Sequence, residues 1–459
     1  MMNSDPKELI RKIPSPYLED LLEITKTVRN ANGEVYLVGG SVRDLLLEKI
    51  PHEYDMAVSL PPEEVQKIFR RTVPTGIKHG TITVLLKDRS YELTTFRKDE
   101  DYVDGRRPET VTFGVSLSED LKRRDFTMNA IALDLANEKL VDEHEGIKDI
   151  QNSLIRTIGN PISRFTEDGL RPVRAIRFVS ILGFKIHPET EKAILECKTI
   201  TQKVSPERIH DEFLKLLKSK DPKPSLLLLR KYGILELFTQ SKLYANLRPS
   251  QSEKGSLDKN DARVAGTRLL TEIEWEEELS HFANLEPEPD RTRLAYFLLT
   301  HFAKEELSAE STRFFKDLRF SNQRSKDSQF LARTLDSIQE YSSLLKNASA
   351  IRKWVLHPIA QYSGKKELLT WCRELASLSQ AHLGNSNWLS QAEEEWKKDA
   401  ALLLSDLAID GNWIRKEFPN LPPQMLGEAL RLCLEKVLME PDYNSQEKLQ
   451  ELIRSSFQS

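Results

Sequence analysis

The sequence predicts an α/β region at the amino-terminal end, followed by a long all-helical region. Five short apolar runs typical of strands all lie before residue 142, with a few helical segments between them: VYLVGG, DMAVS, TITVLL, YELTTF and AIALDL. From about residue 154 the apolar residues recur at helical spacing instead, as in RAIRFVSILGF and SPERIHDEFLKLL, and no later segment is typical of a sheet. Strand signals followed by helix signals favour two structural regions rather than one repeated motif.

Length and composition narrow the class of protein. The 459 residues are enough for about three domains of ~150 residues, and 39% hydrophobic with 30% charged residues suits a soluble globular chain. No run reaches the ~20 apolar residues that a bilayer crossing needs, and the opening segment lacks the apolar core of a secretory signal. We therefore expect a cytoplasmic protein without a membrane partner. Cys197, Cys372 and Cys433 lie far apart, which argues against a disulfide framework or a zinc site.

The charge of the chain is nearly balanced, and one polar segment is typical of a linker. Lysine and arginine total 67 against 71 acidic residues, so a nucleic-acid partner has to be bound by local clusters rather than by a general positive field. The balance neither supports nor excludes RNA. Residues 247–266 are polar and rich in turn formers, which predicts a linker or long loop at a domain boundary.

The first element with chemical meaning is a strand that ends in Gly39 and Gly40 and continues into a helix. Ser41 can cap this helix, with Asp44 three residues later completing a box-like start. Two glycines allow a phosphate to approach the backbone, and the first N–H groups of a helix point at such an anion. The same join also occurs as a plain turn. The P-loop pattern and the Gly-x-Gly-x-x-Gly pattern are both absent.

Acidic residues follow at the next two strands. Glu53 and Asp55 are two apart where a strand begins, so both carboxylates are expected on one face. Such a pair repels unless a cation lies between its members, which makes Mg²⁺ the natural occupant; a solvated pair at a strand edge is the alternative. Glu92 lies inside an otherwise apolar strand, where an acid is costly to bury without a partner. Three acids near a phosphate site are typical of metal-assisted phosphoryl transfer.

Residues 36–217 resemble a known family. In order, the chain carries the motifs GGSVRDLLL, HEYDMAVS, YELTTFRKDEDYVDGRRPETVTF, EDLKRRDFTMNAIALD, RFTEDGLRPVRAIRF and SPERIHDEFLKLL. This series is similar to that of the class II CCA-adding tRNA nucleotidyltransferases and the related bacterial poly(A) polymerases. The segment IDGNWIRKEFPNLPPQMLGEALRLCLEKVLME is similar to the tail of the CCA-adding branch.

The resemblance implies a domain order. The nucleotidyltransferase head, a mixed sheet flanked by helices, is expected at residues 1–142, and a helical neck that selects the nucleotide at 143–205. A helical body follows at 206–330 and contains the linker near 247–266. A helical tail at 331–459 is expected to bind tRNA.

The resemblance also implies roles for the acids. Glu53 and Asp55 would hold two Mg²⁺ ions, which activate the 3′-hydroxyl of the RNA and neutralise the triphosphate during attack on the α-phosphorus, with pyrophosphate leaving. Glu92 would be the third acid beside the metals. The family usually has aspartate at both metal positions, so Glu53 is a departure; its carboxylate is one methylene farther out and can still ligate a hard cation.

Basic residues are assigned by the same likeness. Gly39, Gly40 and Arg43 would contact the triphosphate. Arg124 would reach the ribose or the phosphates, while Asp125 orders that segment. Guanidinium forks match phosphate oxygens better than ammonium groups do.

The segment RFTEDGLRPVRAIRF matches the motif with which the family selects its nucleotide. Asp168 would accept a hydrogen bond from the exocyclic amine of cytosine or adenine, and Arg171 would donate to the neighbouring ring nitrogen. Glu167 belongs to the same motif, and Arg174 and Arg177 are expected to contact phosphates. Because Pro172 fits a helix only in its first turn, the helix is expected to start near Arg171, so that Asp168 and Arg171 are not related by one helical turn.

The leading prediction is therefore an enzyme that adds CCA to the 3′ end of tRNA from CTP and ATP with Mg²⁺. The loop after the YELTTF strand, which in the family helps the pocket switch from CTP to ATP, is of full length, which favours complete CCA addition. Three alternatives stay open: a poly(A) polymerase, an enzyme that adds only CC or only A, and an RNA-binding protein whose metal site fails because of Glu53. The basic stretch usual before the third-acid strand of poly(A) polymerases is replaced here by GIKHGTITVLL.

Overall fold

Seven strands form one mixed sheet in the first half of the chain, with the order β3-β4-β5-β2-β1-β8-β9. The computed structural model describes residues 4–100, 110–239, 272–286, 288–302 and 304–457. The pair β2 and β5 is parallel and the other neighbours are antiparallel. The strands of the described residues are Val35–Val38 (β1), Asp55–Val58 (β2), Thr72–Gly76 (β3), Thr81–Leu86 (β4), Arg89–Thr95 (β5), Arg97–Glu100 (β6), Thr110–Phe113 (β7), Ala132–Asp134 (β8), Lys139–Val141 (β9), Leu154–Ile155 (β10) and Lys185–Ile186 (β11).

All five apolar runs of the sequence are strands of this sheet, and their buried faces build its core. Val38, Ala57 and Phe96 pack with Leu121 and Ala130, so the centre of the sheet is joined to the helical segment that follows the hairpin. These side chains are at most 2% exposed. Burial of their apolar surface, at roughly 25 cal/mol per Å², is the main stabilisation that holds the head together.

The prediction missed six short strands and was wrong about two regions. β6 and β7 pair as a separate antiparallel ribbon within the segment that was expected to be a loop, and residues 101–109 between them lie outside the described residues. β10 and β11 pair in parallel within the region that was expected to be all helical. β6 reads RKDE, which has no apolar period, so its strand conformation depends on backbone pairing with β7 rather than on side-chain burial.

The chain forms two compact units, Met1–Gln240 and Ser241–Ser459. The predicted linker at 247–266 lies outside the described residues, and the expected boundaries at 142, 205 and 330 stay predictions. The α-helices of the first unit, within the described residues, are Pro6–Arg11 (α1), Tyr17–Asn30 (α2), Gly40–Leu46 (α3), Pro62–Ile68 (α4), Leu117–Lys122 (α5), Gly146–Gln151 (α6), Pro161–Glu167 (α7), Arg171–Leu182 (α8), Pro188–Glu196 (α9), Lys198–Thr201 (α10), Pro206–Leu217 (α11), Lys223–Lys231 (α12) and Leu235–Thr239 (α13).

The second unit is helical throughout its described residues. Its α-helices are Glu272–Ser280 (α14), Asp290–His301 (α15), Leu307–Asp317 (α16), Asn322–Glu340 (α17), Ala348–Ile351 (α18), His357–Ser363 (α19), Leu368–Leu383 (α20), Trp388–Lys397 (α21), Gly411–Glu417 (α22), Leu426–Met439 (α23) and Gln446–Phe457 (α24), and a π-helical turn spans Arg352–Leu356. Across the described parts of both units, every helix is too short or too polar to cross a membrane.

Candidate active site

A cleft of about 790 Å³ opens in the first unit, where the Gly-Gly turn, the start of β2 and helices α8 and α11 face one another. It contains every candidate site residue of the sequence except Glu92 and Glu167. Among the described residues, eight arginines and one lysine line the cleft against four carboxylates, which suits a polyanionic ligand. The lining residues are Gly39, Gly40, Arg43, Glu53, Asp55, His79, Thr81, Arg97, Arg123, Arg124, Asp125, Asn129, Asp168, Leu170, Arg171, Arg174, Arg177, Phe178, Arg208 and Lys215.

The three candidate acids come together, though not as the sequence predicts. β2 begins at Asp55, so Glu53 precedes the strand and the alternation argument does not apply to it; both residues nevertheless line the cleft. The parallel register of β2 and β5 places Asp55 opposite Glu92. Glu92 is exposed, because its neighbours Tyr91 and Leu93 take the buried face of the strand. The expectation of a costly buried acid at Glu92 was wrong.

The carboxyl group of Asp55 has a raised pKa. Asp55 is exposed at the cleft, but the surrounding protein atoms reduce its hydration and the carboxylates of Glu92 and Glu53 repel its charge, so its pKa rises to about 6, with Arg124 opposing the shift. A divalent cation beside Asp55 would relieve this repulsion, so the acids fit such an ion chemically. Within the described residues, no group of three histidine, cysteine or acidic side chains has the arrangement of a metal site.

The Gly-Gly turn makes room for two guanidinium groups. Gly39 has φ +72°, in the left-handed region that favours glycine, and a Cβ atom there would lie 3.2 Å from Nη1 of Arg124. A Cβ atom at Gly40 would lie 3.4 Å from Nη2 of Arg43. The predicted cap was wrong: α3 begins at Gly40 with Gly39 at its N-cap, and the Ser41 hydroxyl donates to the carbonyl of Val38 at 2.8 Å.

Arg43 is 7% exposed and is held on several sides. Its guanidinium donates to Oδ1 of Asn129 at 2.8 Å and to Oδ1 of Asp44 at 2.7 Å. The ring of Phe178 lies 5.3 Å from Cζ of Arg43, 5.8 Å from Cζ of Arg174 and 4.2 Å from Cζ of Arg177, so one aromatic ring supports three cations at the wall of the cleft. These contacts fix the positive charge in place before any ligand binds.

The KRRDF segment is organised by two buried carboxylates. Asp120 is fully buried and accepts from Arg123 and Arg124, with 3.2 Å to Nη2 of Arg124. Asp125 accepts from both Nε and Nη2 of Arg174, at 2.9 and 2.6 Å. Burial opposes the charge of Asp125, but Arg174 outweighs it and holds the pKa of this carboxyl well below its usual range. The predicted ordering role of Asp125 thus has a specific partner, Arg174.

The segment that is predicted to select the nucleotide spans a helix break. α7 ends at Glu167 and α8 begins at Arg171, so Pro172 falls in the first turn of α8, as predicted. The guanidinium of Arg171, 6% exposed, donates to Glu167 at 2.9 Å and to backbone carbonyls at 2.9 and 3.1 Å. Between the helices, a Cβ atom at Gly169 would lie 2.6 Å from the carbonyl oxygen of Ile200, so this position excludes larger residues.

Arg208 lines the cleft and was not predicted from the sequence. It donates from both Nη atoms to the carboxylate of Asp168, at 3.0 and 2.8 Å, across 40 residues of sequence. On the same helix, Glu212 is 3% exposed and pairs with Arg174 and Arg177. Arg208, Glu212 and Lys215 are spaced four and three apart, so a polar stripe on one face of SPERIHDEFLKLL was the available signal. Arg174 and Arg177 therefore have a carboxylate partner within the protein.

Comparisons with known proteins agree with this geometry. The model of the Poly A polymerase head domain matches residues 35–156, and that of the probable RNA and SrmB-binding site of polymerase A matches residues 183–241. A CCA-adding enzyme of Enterococcus faecalis is 54% identical over 189 residues, 41% of this chain and 46% of its own length. Matches of this kind span about half the length of the curated relatives.

Two further relatives extend over almost the whole chain. The CCA-adding enzyme of Latilactobacillus sakei is 33% identical over 437 residues, 95% of this chain and 97% of its own length. The crystal structure of the Bacillus stearothermophilus CCA-adding enzyme in complex with CTP has a TM-score of 0.73 at 27% identity, covering 96% of this chain and 98% of that one. The chain therefore belongs to the family of the CCA-adding enzymes, the tRNA nucleotidyltransferases.

Proposed function

We propose that this chain adds the 3′-terminal CCA to tRNA from CTP and ATP without a nucleic-acid template. The observation that carries the proposal is the single cleft in which the carboxyl of Asp55, whose pKa is raised, the arginines of KRRDF and the selecting motif come together. The similarity to a CCA-adding enzyme solved with CTP supports the choice of substrate. A cytoplasmic location, as expected for tRNA processing, belongs to this proposal.

The arginines of the cleft bind and orient the triphosphate. Arg124 pairs with Asp120 through Nη2, and its guanidinium lines the cleft beside the Gly-Gly turn, where a phosphate can reach it. Arg43 stands on the other side of the Gly-Gly turn. In the proposed reaction the 3′-hydroxyl of the RNA attacks the α-phosphorus, the bond to the β-phosphate breaks, and pyrophosphate leaves. Fixed cations stabilise the negative charge that moves onto the leaving group.

The selecting motif reads the base. Arg208 occupies one lone pair on each oxygen of Asp168, and the Leu170 N–H donates to Oδ1 at 3.0 Å, so the second lone pair of Oδ2 is left for the amine of cytosine or adenine. Arg171 is held by Glu167 and by backbone carbonyls, which orients its donors before the base arrives. Uracil and guanine present a carbonyl where the amine should be, so they leave Asp168 facing an acceptor.

The acids suit a divalent cation. Glu53 and Asp55 would hold Mg²⁺, with Glu92 opposite Asp55 in the sheet register, since a positive charge would offset the repulsion among these carboxylates. A bound ion of this kind supplies Lewis acidity toward phosphoryl oxygens and lowers the pKa of a hydroxyl that it contacts. Glu53, one methylene longer than aspartate, reaches the same cleft from the segment before β2.

A poly(A) polymerase is the second candidate, because the head-domain model carries that description. The candidates are separated with tRNA transcripts that lack one, two or all three nucleotides of the CCA end. Each transcript is incubated with Mg²⁺ and with CTP, ATP or both, and the products are sequenced. We expect addition of the missing nucleotides only, followed by a stop at the terminal adenosine. Long adenylate tails would indicate the polymerase, products that end at CC or that need a preformed CC would indicate a partial enzyme, and no incorporation would leave an RNA-binding protein.

A further inference from the structure

The second unit contains a cleft of a different kind, of about 700 Å³, between the π-helical turn with α19 on one side and α23 on the other. Its floor is made by Leu434 and Leu438, which are 6% and 2% exposed, and its walls by Trp354, Pro358 and Leu404. Leu404 is 44% exposed, so the apolar wall is open to solvent. Concave apolar sites of this size are typical of binding sites for small organic molecules.

The cleft is preformed because a buried arginine locks its two sides together. Arg352, 5% exposed, lies in the π-helical turn and pairs with the buried carboxylate of Glu395. Its Nε donates to the carbonyl of Leu438 at 2.8 Å and its Nη2 to that of Met439 at 3.1 Å, both at the end of α23. Every nitrogen of this guanidinium is bonded, so the walls cannot close over the apolar floor without breaking buried hydrogen bonds.

The π-helical turn is a second, independent sign of a ligand site. Lys353 and Trp354 lie within this turn, and both line the cleft. A π-turn is a rare departure from α-helical geometry that occurs frequently at functional sites. The indole of Trp354 stacks on Tyr341 with ring centroids 4.0 Å apart, which fixes its orientation in the wall.

Charge at the rim indicates what the ligand carries. Lys353 lies 3.6 Å from the carboxylate of Glu435, so these two charges compensate each other. Arg431, also at the rim and exposed, has neither an ion pair nor a hydrogen bond to the part of the chain that the structure describes. Nδ1 of His357 donates to the carbonyl of Leu402 at 2.7 Å, so this imidazole is held in the wall. An apolar floor below one uncompensated cation is complementary to an amphipathic anion.

We propose that this cleft binds a small amphipathic anion, a molecule with an aliphatic or aromatic body and a single carboxylate-like head. The body lies on Leu434 and Leu438 beside the Trp354 ring, and the head pairs with Arg431. This site lies within the second unit and shares no residue with the cleft of the first unit.

The test is isothermal titration calorimetry of the full-length protein with dodecanoate below its micelle concentration, and with dodecanol as the uncharged analogue. We expect one saturable site per chain. Arg431→Gln should raise the Kd of dodecanoate about tenfold and leave that of dodecanol unchanged, because only the charged head loses a partner. Leu404→Glu should weaken both ligands, since it places a charge in the apolar wall. Decanoate should bind more weakly than dodecanoate, by about fourfold for each methylene group removed from water.

Matched controls are Arg454→Gln, an exposed arginine of α24, and Leu195→Glu, an exposed leucine of α9 in the first unit. Both should bind dodecanoate as the parent protein does, and circular dichroism verifies the fold of all four variants. Several equivalent sites per chain, no saturable binding, or equal Kd values in Arg431→Gln, Leu404→Glu and the parent protein would each overturn the proposal.

Discussion

The two clefts of this chain use arginine in opposite ways. In the first unit, guanidinium groups line an open cleft, and Arg124 keeps one buried N–H without a partner among the described residues. In the second unit, each nitrogen of Arg352 donates to Glu395 or to one of two backbone carbonyls. The comparison teaches that burial alone does not separate the two roles: Arg43 is nearly as buried as Arg352, and the difference is that Arg43 lines the cleft of its unit whereas Arg352 does not.

Carboxylates show the same contrast. Reduced hydration and two neighbouring acids raise the pKa of Asp55, whereas Glu395 in the second unit lies between Arg352 and Lys398. Burial opposes the charge of Glu395, but its two cations outweigh that and lower its pKa. Uncompensated negative charge therefore distinguishes Asp55 from the structural carboxylate of Glu395.

The largest effect is expected at Asp55. Asp55→Ala removes the acid that we propose holds Mg²⁺, and we expect nucleotide addition to fall by about 10³-fold or more while tRNA binding stays largely intact. Incorporation of radiolabelled nucleotide and a filter-binding assay measure the two properties. Asp88→Ala, in the exposed turn between β4 and β5, serves as the control. Retained turnover in Asp55→Ala would refute the metal role.

On the structural side, Arg352→Met should lower the free energy of unfolding of the second unit by about 3 kcal/mol, because it breaks a buried ion pair and two hydrogen bonds to carbonyls. Urea denaturation followed by tryptophan fluorescence is selective, since all six tryptophans lie after residue 270. Arg373→Met removes an exposed pair with Glu393 and should cost under about 0.5 kcal/mol. Equal losses of unfolding free energy in Arg352→Met and Arg373→Met would show that the buried ion pair stabilises the second unit no more than the exposed one.

Arg171→Ala tests base selection within the first cleft. We expect it to relax base choice more than it weakens triphosphate binding, lowering the kcat/KM ratio of CTP over UTP by about 10²-fold. Steady-state kinetics with each of the four triphosphates measure this, and Arg70→Ala, at an exposed position, is the matched control. Unchanged discrimination against UTP and GTP would count against the selecting role.

The smallest effect is expected at Asp120. Burial opposes the charge of this carboxyl, but Arg123 and Arg124 outweigh it and lower its pKa. Asp120→Asn should destabilise the first unit by about 2 kcal/mol at neutral pH. A carboxyl with a lowered pKa stabilises the fold above its unfolded value of 3.8, and this contribution is lost as the pH falls through the folded value.

Hydrogen exchange of residues 117–124 between pH 7 and pH 3 measures that difference. The difference in stability between the parent protein and Asp120→Asn should stay constant down to about pH 5 and decrease below pH 3.8. Asp211→Asn, at an exposed position of α11, should be as stable as the parent protein at every pH. A stability difference that increases toward acid pH would mean that the charge of Asp120 destabilises the fold.

The sequence by itself determined the local elements of this protein. The five apolar runs predicted five strands of the sheet, because burial of one or both faces of a strand leaves a visible pattern. Pro172 predicted the start of α8, since its ring excludes every position but the first turn. The ordered motifs predicted the family, and with it the candidate residues, nearly all of which line one cleft.

Only the tertiary structure decided which charges meet. The pairing of Asp168 with Arg208 and of Arg352 with Glu395 joins residues 40 and 43 positions apart, and the register of β2 with β5 brings Glu92 beside Asp55. The ribbon of β6 and β7 also escaped prediction, because β6 reads RKDE and has no apolar period that would indicate a strand. Ion pairs and strand registers across long loops have no repeat in the sequence, since they depend on where whole elements pack rather than on the residues next to them.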